Sequence, residues 1–581
     1  MKKQKRAELR PSPASASVVA RAPWRPQTWH YLLAALAALF IALEAYGPAL
    51  GGPFVFDDSY LPFADGSIDR IPLYQMSTGL RPVLMLSYLL NYRLSGSDTY
   101  SYHVFNVLLH VANSMLVFHI AAQLLRRLEG DVRKTLLLSG FCAGLFLLHP
   151  LQTESVAYIA SRSETLSIFF AYASLSVLLG QGETGVGWFR SIAVLVLFAL
   201  ACLTKEHATV LPAVFLLTDY YWFSEFNLVR IRKNWRLYVP TVVGAAAGAA
   251  FVLRVLKGAD TAGFALKDLP WYEYFFTQWR AIWVYLRMFA LPFGQNADHD
   301  FAISHTPWDQ GAVIGLVGLL GLAVLAFLYR RRYPLASYGF LLFLLLIAPT
   351  SSVVPIRDLL VERRFYLPSL GIVLVLADGC RHWRVPVKTL AAAATIVLAL
   401  CAVLTWQRNQ VWSSVDALWK DAIAKAPNKA RPHSQLALAI YQRGDCADSI
   451  PEFEKALSIE PDEHRALIDY GLALDCVGRL DDARHAFERA AATRKSGYAY
   501  ALVGMIYGKQ GNREAAMRAI ETSLRMEPNN DLTYLYRGNL HLMANETDQA
   551  ANDFRAALRI NPTNAAAGRA LQRIGSQSPA P

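Results

Sequence analysis

Residues 312–328 read AVIGLVGLLGLAVLAFL, an apolar run without a single charged side chain. A helix of roughly 17–25 such residues crosses the ~30 Å hydrocarbon core of a bilayer. The same signal recurs on both sides of this run, at Trp29–Tyr46, His103–Leu125 and Val387–Trp406. A chain that repeats it so often is read as all-α, a polytopic membrane helix bundle.

Composition agrees. The 581 residues are 54% hydrophobic and 18% charged, against about 25% charged in a soluble globular protein. Mean hydropathy is +0.25. The net charge of +12 is unevenly placed: from Pro427 onward there are 19 basic and 19 acidic residues, so the whole excess precedes Pro427. It belongs to loops flanking apolar runs, and the pI of 9.3 does not indicate nucleic acid binding. Lys2, Lys3, Lys5, Arg6, Arg10, Arg21 and Arg25 precede the first run. Only a weak small-residue site, Ala42-Leu43-Glu44-Ala45, lies near its end, which favours a retained helix over a cleaved signal. The six cysteines form no CxxC pair, against a zinc or iron–sulfur site.

Basic residues cluster at Met1–Arg25, Arg126–Lys134, Arg230–Arg236, Arg330–Arg332 and Arg381–Arg384. The positive-inside rule assigns these to the cytoplasmic side. About eleven crossings fit between them, near 30–46, 103–125, 136–149, 164–180, 189–204, 207–223, 237–256, 312–329, 335–350, 365–380 and 387–406. An odd number puts the N-terminus inside and the C-terminal part outside. Arg81–Tyr92 is too short to cross, and Trp271–Leu291 carries Glu273, Gln278, Arg280 and Arg287. The first is expected to be an interfacial helix and the second an interfacial or half-inserted one.

The last third has a different period. Pro427, Pro461, Pro528 and Pro562 are spaced by 34, 67 and 34 residues, with Lys495 where the missing proline falls. This is the tetratricopeptide period, a helix–turn–helix unit that stacks into a solenoid. Gly471, Gly504 and Gly538 recur where paired helices come close, and Gly444, Gly478 and Gly511 where they turn. Four repeats are expected to begin near Ala430, His464, Gly497 and Asp531. The organisation read from these signals is a basic N-terminus (1–28), a membrane domain (29–406), a linking helix (407–426), the repeats (427–573) and a short tail (574–581). Cys446 falls early in one repeat helix and Cys476 late in its antiparallel neighbour, at one end of the stack. In an oxidising compartment they are disulfide candidates, the alternative being two small packing residues.

Ionisable residues near the ends of apolar runs are functional candidates by default. On the predicted outer side these include the pair Asp57-Asp58, whose mutual repulsion suits proton transfer, though the same pair also fits a cap or turn. Phe54-Val55-Phe56-Asp57-Asp58, the run Arg81-Pro82 to Asn91-Tyr92, and Tyr102-His103-Val104-Phe105-Asn106-Val107-Leu108-Leu109-His110 occur in that order. His149-Pro150-Leu151-Gln152-Thr153-Glu154, Ser161-Arg162-Ser163-Glu164, Leu203-Thr204-Lys205-Glu206 and Glu362-Arg363-Arg364-Phe365-Tyr366 follow. Together they resemble the transmembrane and tetratricopeptide-repeat-containing O-mannosyltransferase family and its bacterial relatives. The resemblance covers nearly the whole chain. The repeat array is short compared with the animal members, and Arg363-Arg364 stands where an Arg-Tyr pair is more usual.

The resemblance implies a C-type glycosyltransferase that moves a sugar, such as mannose, from a polyprenyl-phosphate donor to a protein Ser/Thr hydroxyl. With the charge pattern, it implies a bacterial inner-membrane protein with repeats on the periplasmic side. The repeats themselves are expected to recognise a protein or peptide acceptor or partner, the alternative being a solenoid that only scaffolds or dimerises. In that scheme Asp58 or Asp57 is the general base. Glu154 is a second acid that orients the acceptor or binds a metal. Arg363, Arg364 and Arg162, with Lys205 as an alternative, hold the leaving phosphate, a role that suits arginine. Glu164, Glu206 and His149 are further site candidates. Asp298-His299-Asp300 offers ligands for a divalent metal ion, although a polar turn gives the same triplet. Two rival readings are transfer onto a lipid-linked or cell-surface glycan, and a non-catalytic membrane anchor that displays a repeat scaffold.

Overall fold

A computed structural model describes residues 28–181, 185–228, 230–256 and 262–577. The basic segment before Thr28 and the last tail residues lie outside this range. The described chain is helical throughout, without β-strands.

By length and apolarity, Thr28–Ala49, Thr99–Leu125, Asp309–Leu328 and Val387–Val411 can each cross a membrane. Val132–Leu148 with Pro150–Ala157 makes a fifth if that bent pair is one span. Trp188–Thr204 and Pro334–Ile347 are apolar but shorter. The expected count of about eleven therefore exceeds what helix length and composition support among the described residues. The difference is mainly one of length: Leu211–Trp222 has 12 residues and Pro334–Ile347 and Ser369–His382 have 14 each, short of the roughly 17–25 that a crossing takes. The longer helices bury polar side chains on their inner faces. On Thr99–Leu125, Asn113 Nδ2 donates to the Thr165 carbonyl at 2.9 Å and to Tyr366 Oη at 3.1 Å. His110 Nδ1 lies 2.7 Å from that same hydroxyl. Ala312–Leu328, by contrast, leaves Ile314, Val317, Leu320 and Leu328 exposed, as a lipid-facing helix does. Pro334–Ile347 and Ser369–His382 cross at Gly339 and Gly371, where a Cβ on Gly339 would sit 2.5 Å from the Gly371 carbonyl oxygen.

Among the described residues, the basic clusters at Arg126–Lys134, Arg330–Arg332 and Arg381–Arg384 lie at one end of the bundle. Arg127 donates to the Leu179 and Trp222 carbonyls, Lys134 to the Arg381 carbonyl, and Arg330 stacks on Phe226. The opposite end carries the long loops and the solenoid.

The solenoid is built from four antiparallel helix pairs, Ala430–Gln442 with Cys446–Ile459, His464–Cys476 with Leu480–Thr493, Gly497–Lys509 with Arg513–Met526, and Asp531–Met543 with Thr547–Ile560, and ends on Ala565–Gln577. Gly444, Gly478 and Gly511 turn at positive φ, and Asn545 (φ 62°) makes the fourth turn. Asparagine is the residue that best replaces glycine there. Cys446 and Cys476 are disulfide-bonded, with α-carbons 6.2 Å apart.

Bundle and solenoid share a core. Ala49, Val55, Ala157 and Tyr158 from the loop end are buried with Trp412, Leu418, Trp419, Ala422 and Leu436. Phe56 packs edge-on against Trp419 with ring centroids 4.6 Å apart, and Arg465 of the second repeat stacks over Tyr60. The solenoid is therefore seated on the loops rather than tethered beside them.

Candidate functional site

The Asp57-Asp58 pair opens a short 3₁₀ turn, Phe56–Tyr60. Phe56 enters it at φ 51°, a left-handed conformation a phenylalanine adopts only when its surroundings hold it there. Packing of its ring on Trp419 and Tyr158 supplies that hold. The turn separates the two carboxylates. Asp58 is fully buried and accepts from the Val55 N–H at 3.3 Å and the Ala160 N–H at 2.7 Å. Burial pushes its carboxyl up to about 8, against the pull of those N–H groups. Asp57 is exposed, and among the described residues its carboxylate takes no hydrogen bond or ion pair. Its backbone N–H donates to Tyr158 Oη at 3.1 Å. Asp57 lines a cavity of about 60 Å³ together with Tyr158, Asp298, His299, Asp358, Arg363, Lys429 and Arg431.

Arg363 is held from below. Its guanidinium pairs with Glu154, and its backbone N–H donates to the other Glu154 oxygen at 3.0 Å. The carboxylate is 3% exposed and the arginine 26%, so the arginine keeps a face toward the cavity. Further ion pairs continue behind it. Lys205 binds Glu164 with His207 alongside, and Arg81 grips Glu206 with bonds of 2.8 and 2.9 Å. Cations alternate with acids in this row, which keeps each charge partnered.

Other expected site residues are engaged elsewhere. Arg162 is fully buried. It donates to Asn106 Oδ1 (3.0 Å), Asn91 Oδ1 (2.7 Å) and the Tyr102 and Ser87 carbonyls, and it stacks on Phe105 and Tyr88. With four of its five N–H donors engaged and the side chain fully buried, the guanidinium is turned away from any lipid phosphate, and Arg162 braces the loops instead. Arg364 donates to Tyr274 Oη and the Leu359 and Asp358 carbonyls, which fixes the loop before it. His149 uses both ring nitrogens, accepting from the Leu151 N–H and bonding the Phe289 carbonyl at 2.8 Å.

The Asp298-His299-Asp300 triplet does not form the expected cation site. Asp298 is neutralised by Lys429 and Arg431, His299 faces Glu362 at 3.0 Å, and Asp300 is exposed. Among the described residues no group of three or more His, Cys, Asp or Glu is gathered for a metal ion. Lys429, Arg431 and Asp358 were not singled out by sequence reasoning. At the head of a repeat helix Lys429 and Arg431 read as solvated charge, and nothing local ties them to loops more than 70 residues away.

These features define a class: an all-α, membrane-type bundle bearing a repeat solenoid, with a free carboxylate and an arginine facing one cavity at the junction. The family model for the tetratricopeptide repeat matches residues 434–499 and 504–565. More particularly, the chain is similar to the TMTC protein O-mannosyl-transferases. It is 22% identical over 453 residues to Protein O-mannosyl-transferase F38B6.6 of Caenorhabditis elegans, covering 73% of this chain and 62% of that protein. With Protein O-mannosyl-transferase TMTC3 of Mus musculus it is 23% identical over 553 residues, 84% of this chain and 57% of that protein. With TMTC2 of Mus musculus identity reaches 32% over 172 residues, 27% of this chain and 19% of that protein. The chain thus spans less than two thirds of the length of these relatives. Among solved structures, the crystal structure of MamA aligns with 26% of this chain and 87% of its own, at 22% identity and a TM-score of 0.23.

Proposed function

We propose that the chain is a membrane glycosyltransferase that moves a mannosyl unit from a polyprenyl-phosphate donor to a Ser or Thr hydroxyl of a protein acceptor. The observation that carries this reading is the presence of an unpaired carboxylate, Asp57, and a partly open arginine, Arg363, in one cavity. Asp57 takes the proton of the acceptor hydroxyl as its oxygen attacks the anomeric carbon. The bond from that carbon to the phosphate oxygen breaks, and the lipid phosphate leaves as an anion held by Arg363. Glu154 orients Arg363 rather than acting as a second acid. Lys205 and Arg81, each paired with a glutamate, brace the row of ion pairs behind it. The cavity is far smaller than the ~300 Å³ lower bound typical of ligand pockets. The sugar therefore lies at its mouth, along Tyr158 and Arg363, with only the reacting groups inside.

In this reading the reaction takes place on the solenoid side. The basic loops at the other end favour that side as the non-cytoplasmic one, and a Cys446–Cys476 disulfide is consistent with an oxidising compartment such as a periplasm. The solenoid then presents the acceptor.

The test is transfer by the full chain in proteoliposomes, with mannosyl-phosphoryl-polyprenol and a Ser/Thr-rich peptide. One hexose of added mass on the peptide, lost in Asp57→Asn, supports the proposal. Transfer to a lipid-linked glycan alone would favour the glycan-acceptor reading. No turnover on either acceptor would leave the membrane-anchored scaffold.

A further inference from the structure

The first repeat reaches into the cavity. Arg431 of Ala430–Gln442 binds Asp298 through two nitrogens and Asp358 at 2.8 Å. Lys429, one residue before that helix, donates to the His299 carbonyl at 2.6 Å and pairs with Asp298 at 2.5 Å. The two cations meet two loop carboxylates, so the local charges balance. Burial alone would raise the Asp358 carboxyl, but Arg431 overcomes this and holds it below its ordinary range.

The clamped loops are those that hold Arg363. The loop with Asp298 and His299 also contacts Glu362, which accepts from the Asn296 N–H at 2.6 Å and faces His299. Glu362 immediately precedes Arg363. Asp358, the other anchor, carries the carbonyl bound by Arg364 at 2.6 Å. The clamp cannot slide freely, because Trp419 and Leu436 on the solenoid side are buried with Val55 and Tyr158 on the loop side, and Lys425 adds a 2.7 Å bond to the Gln295 carbonyl.

We infer that Lys429 and Arg431 are positioning residues of the reaction centre: the first repeat is a wall of the cavity that sets Arg363 on the leaving phosphate, not only a reader of the acceptor. This rests on the glycosyltransferase reading for its chemistry but on the contacts above for its geometry. A misplacement of about 1 Å at a reacting group can cost on the order of 100-fold, so a loosened clamp reaches the chemistry without touching it.

The test uses the full chain in proteoliposomes with three variants: Arg431→Ala, Arg431→Lys and Lys429→Met. Binding of bare polyprenyl phosphate is measured without any acceptor, because a solenoid that serves only acceptor reading would leave it unchanged. Arg431→Ala is expected to weaken binding about tenfold or more, with Arg431→Lys recovering part of the loss. Amide hydrogen exchange across 296–300 and 357–364 should rise in the same order. If wild type binds polyprenyl phosphate yet transfers no sugar, the chemistry is wrong while these two readouts still decide the clamp. If it does not bind the lipid phosphate at all, exchange alone decides. Unchanged exchange in Arg431→Ala overturns the inference, as does unchanged lipid-phosphate binding in a variant of a wild type that binds. Should Arg431→Ala fail to fold, the milder pair gives the same readouts.

Discussion

Arg363 holds Glu154 twice, through its guanidinium and through its own backbone N–H, across 209 residues of chain. The double contact fixes both the loop and the side chain, and it leaves one edge of the guanidinium toward the cavity. In the proposed glycosyltransferase, Glu154 acts on the chemistry through Arg363. Glu154→Gln keeps shape and can still accept a hydrogen bond, but it removes the charge that aims the arginine. Transfer should fall about 10–100-fold, mainly as a higher KM for the polyprenyl-phosphate donor. A fall confined to kcat would instead restore Glu154 as an acid that touches the acceptor.

The two aspartates should separate cleanly. Asp57→Asn removes the proposed base, which is exposed, so transfer should drop by about 100-fold or more with thermal stability unchanged. Equal loss of stability and activity in Asp57→Asn would show that its carboxylate is structural.

Asp58 gives a pH dependence of known sign. Its folded carboxyl is raised to about 8, above the ~3.9 of an unfolded aspartate. The folded state therefore favours the protonated form. The stabilisation from this group is full below about pH 4 and is lost as pH rises toward 8. The melting temperature of the wild type should fall over that interval more steeply than that of Asp58→Asn, measured by fluorescence-detected unfolding at stepped pH. Parallel profiles would mean that Asp58 is ionised in the folded protein throughout.

Arg162 should behave as structure. Its partners are neutral, so removing it strands several buried acceptors, a cost of about 3 kcal/mol or more. Arg162→Met should lower folded yield and melting temperature. In the surviving folded fraction, KM for the donor should stay near the wild-type value. A stable Arg162→Met protein with weakened donor binding would return Arg162 to the phosphate site.

What the sequence could express depended on the range of the interaction. The solenoid was legible because a 34-residue period repeats its constraints: a turn glycine, a close-packing glycine and a phenylalanine or isoleucine facing it. Even its exception is local, since Asn545 takes over the left-handed turn. The individual sites were less legible. Asp57 and Asp58 are neighbours with identical chemistry, and the choice between them lies in the backbone of Phe56, which is set by a ring packed 363 residues later, on Trp419. Arg162 reads like any loop arginine, because its acceptors Asn91 and Asn106 lie 71 and 56 residues back. The span count was blurred as well, since stretches read as full crossings fold into helices of only 12 and 14 residues, Leu211–Trp222 and Ser369–His382.

The cysteine pair offers a prediction that depends on none of the chemistry. Cys446 and Cys476 join the second helix of one repeat to the first helix of the next, 30 residues apart. Closing a loop of that length removes unfolded-state entropy worth about 3.6 kcal/mol. Because a solenoid is stabilised largely by nearest-neighbour interfaces, the gain falls on the interface between the first two repeats, Cys446–Ile459 against His464–Cys476. Full-length protein purified without reductant should therefore show the disulfide by non-reducing peptide mass spectrometry. The Cys446→Ser/Cys476→Ser protein should become more open to limited proteolysis in the first two repeats, with the last two largely unaffected. Reduction of the wild type should reproduce that pattern. Recovery of both thiols free under oxidising conditions would remove the bridge, and uniform cleavage across all four repeats would show that its effect does not stay at the first interface.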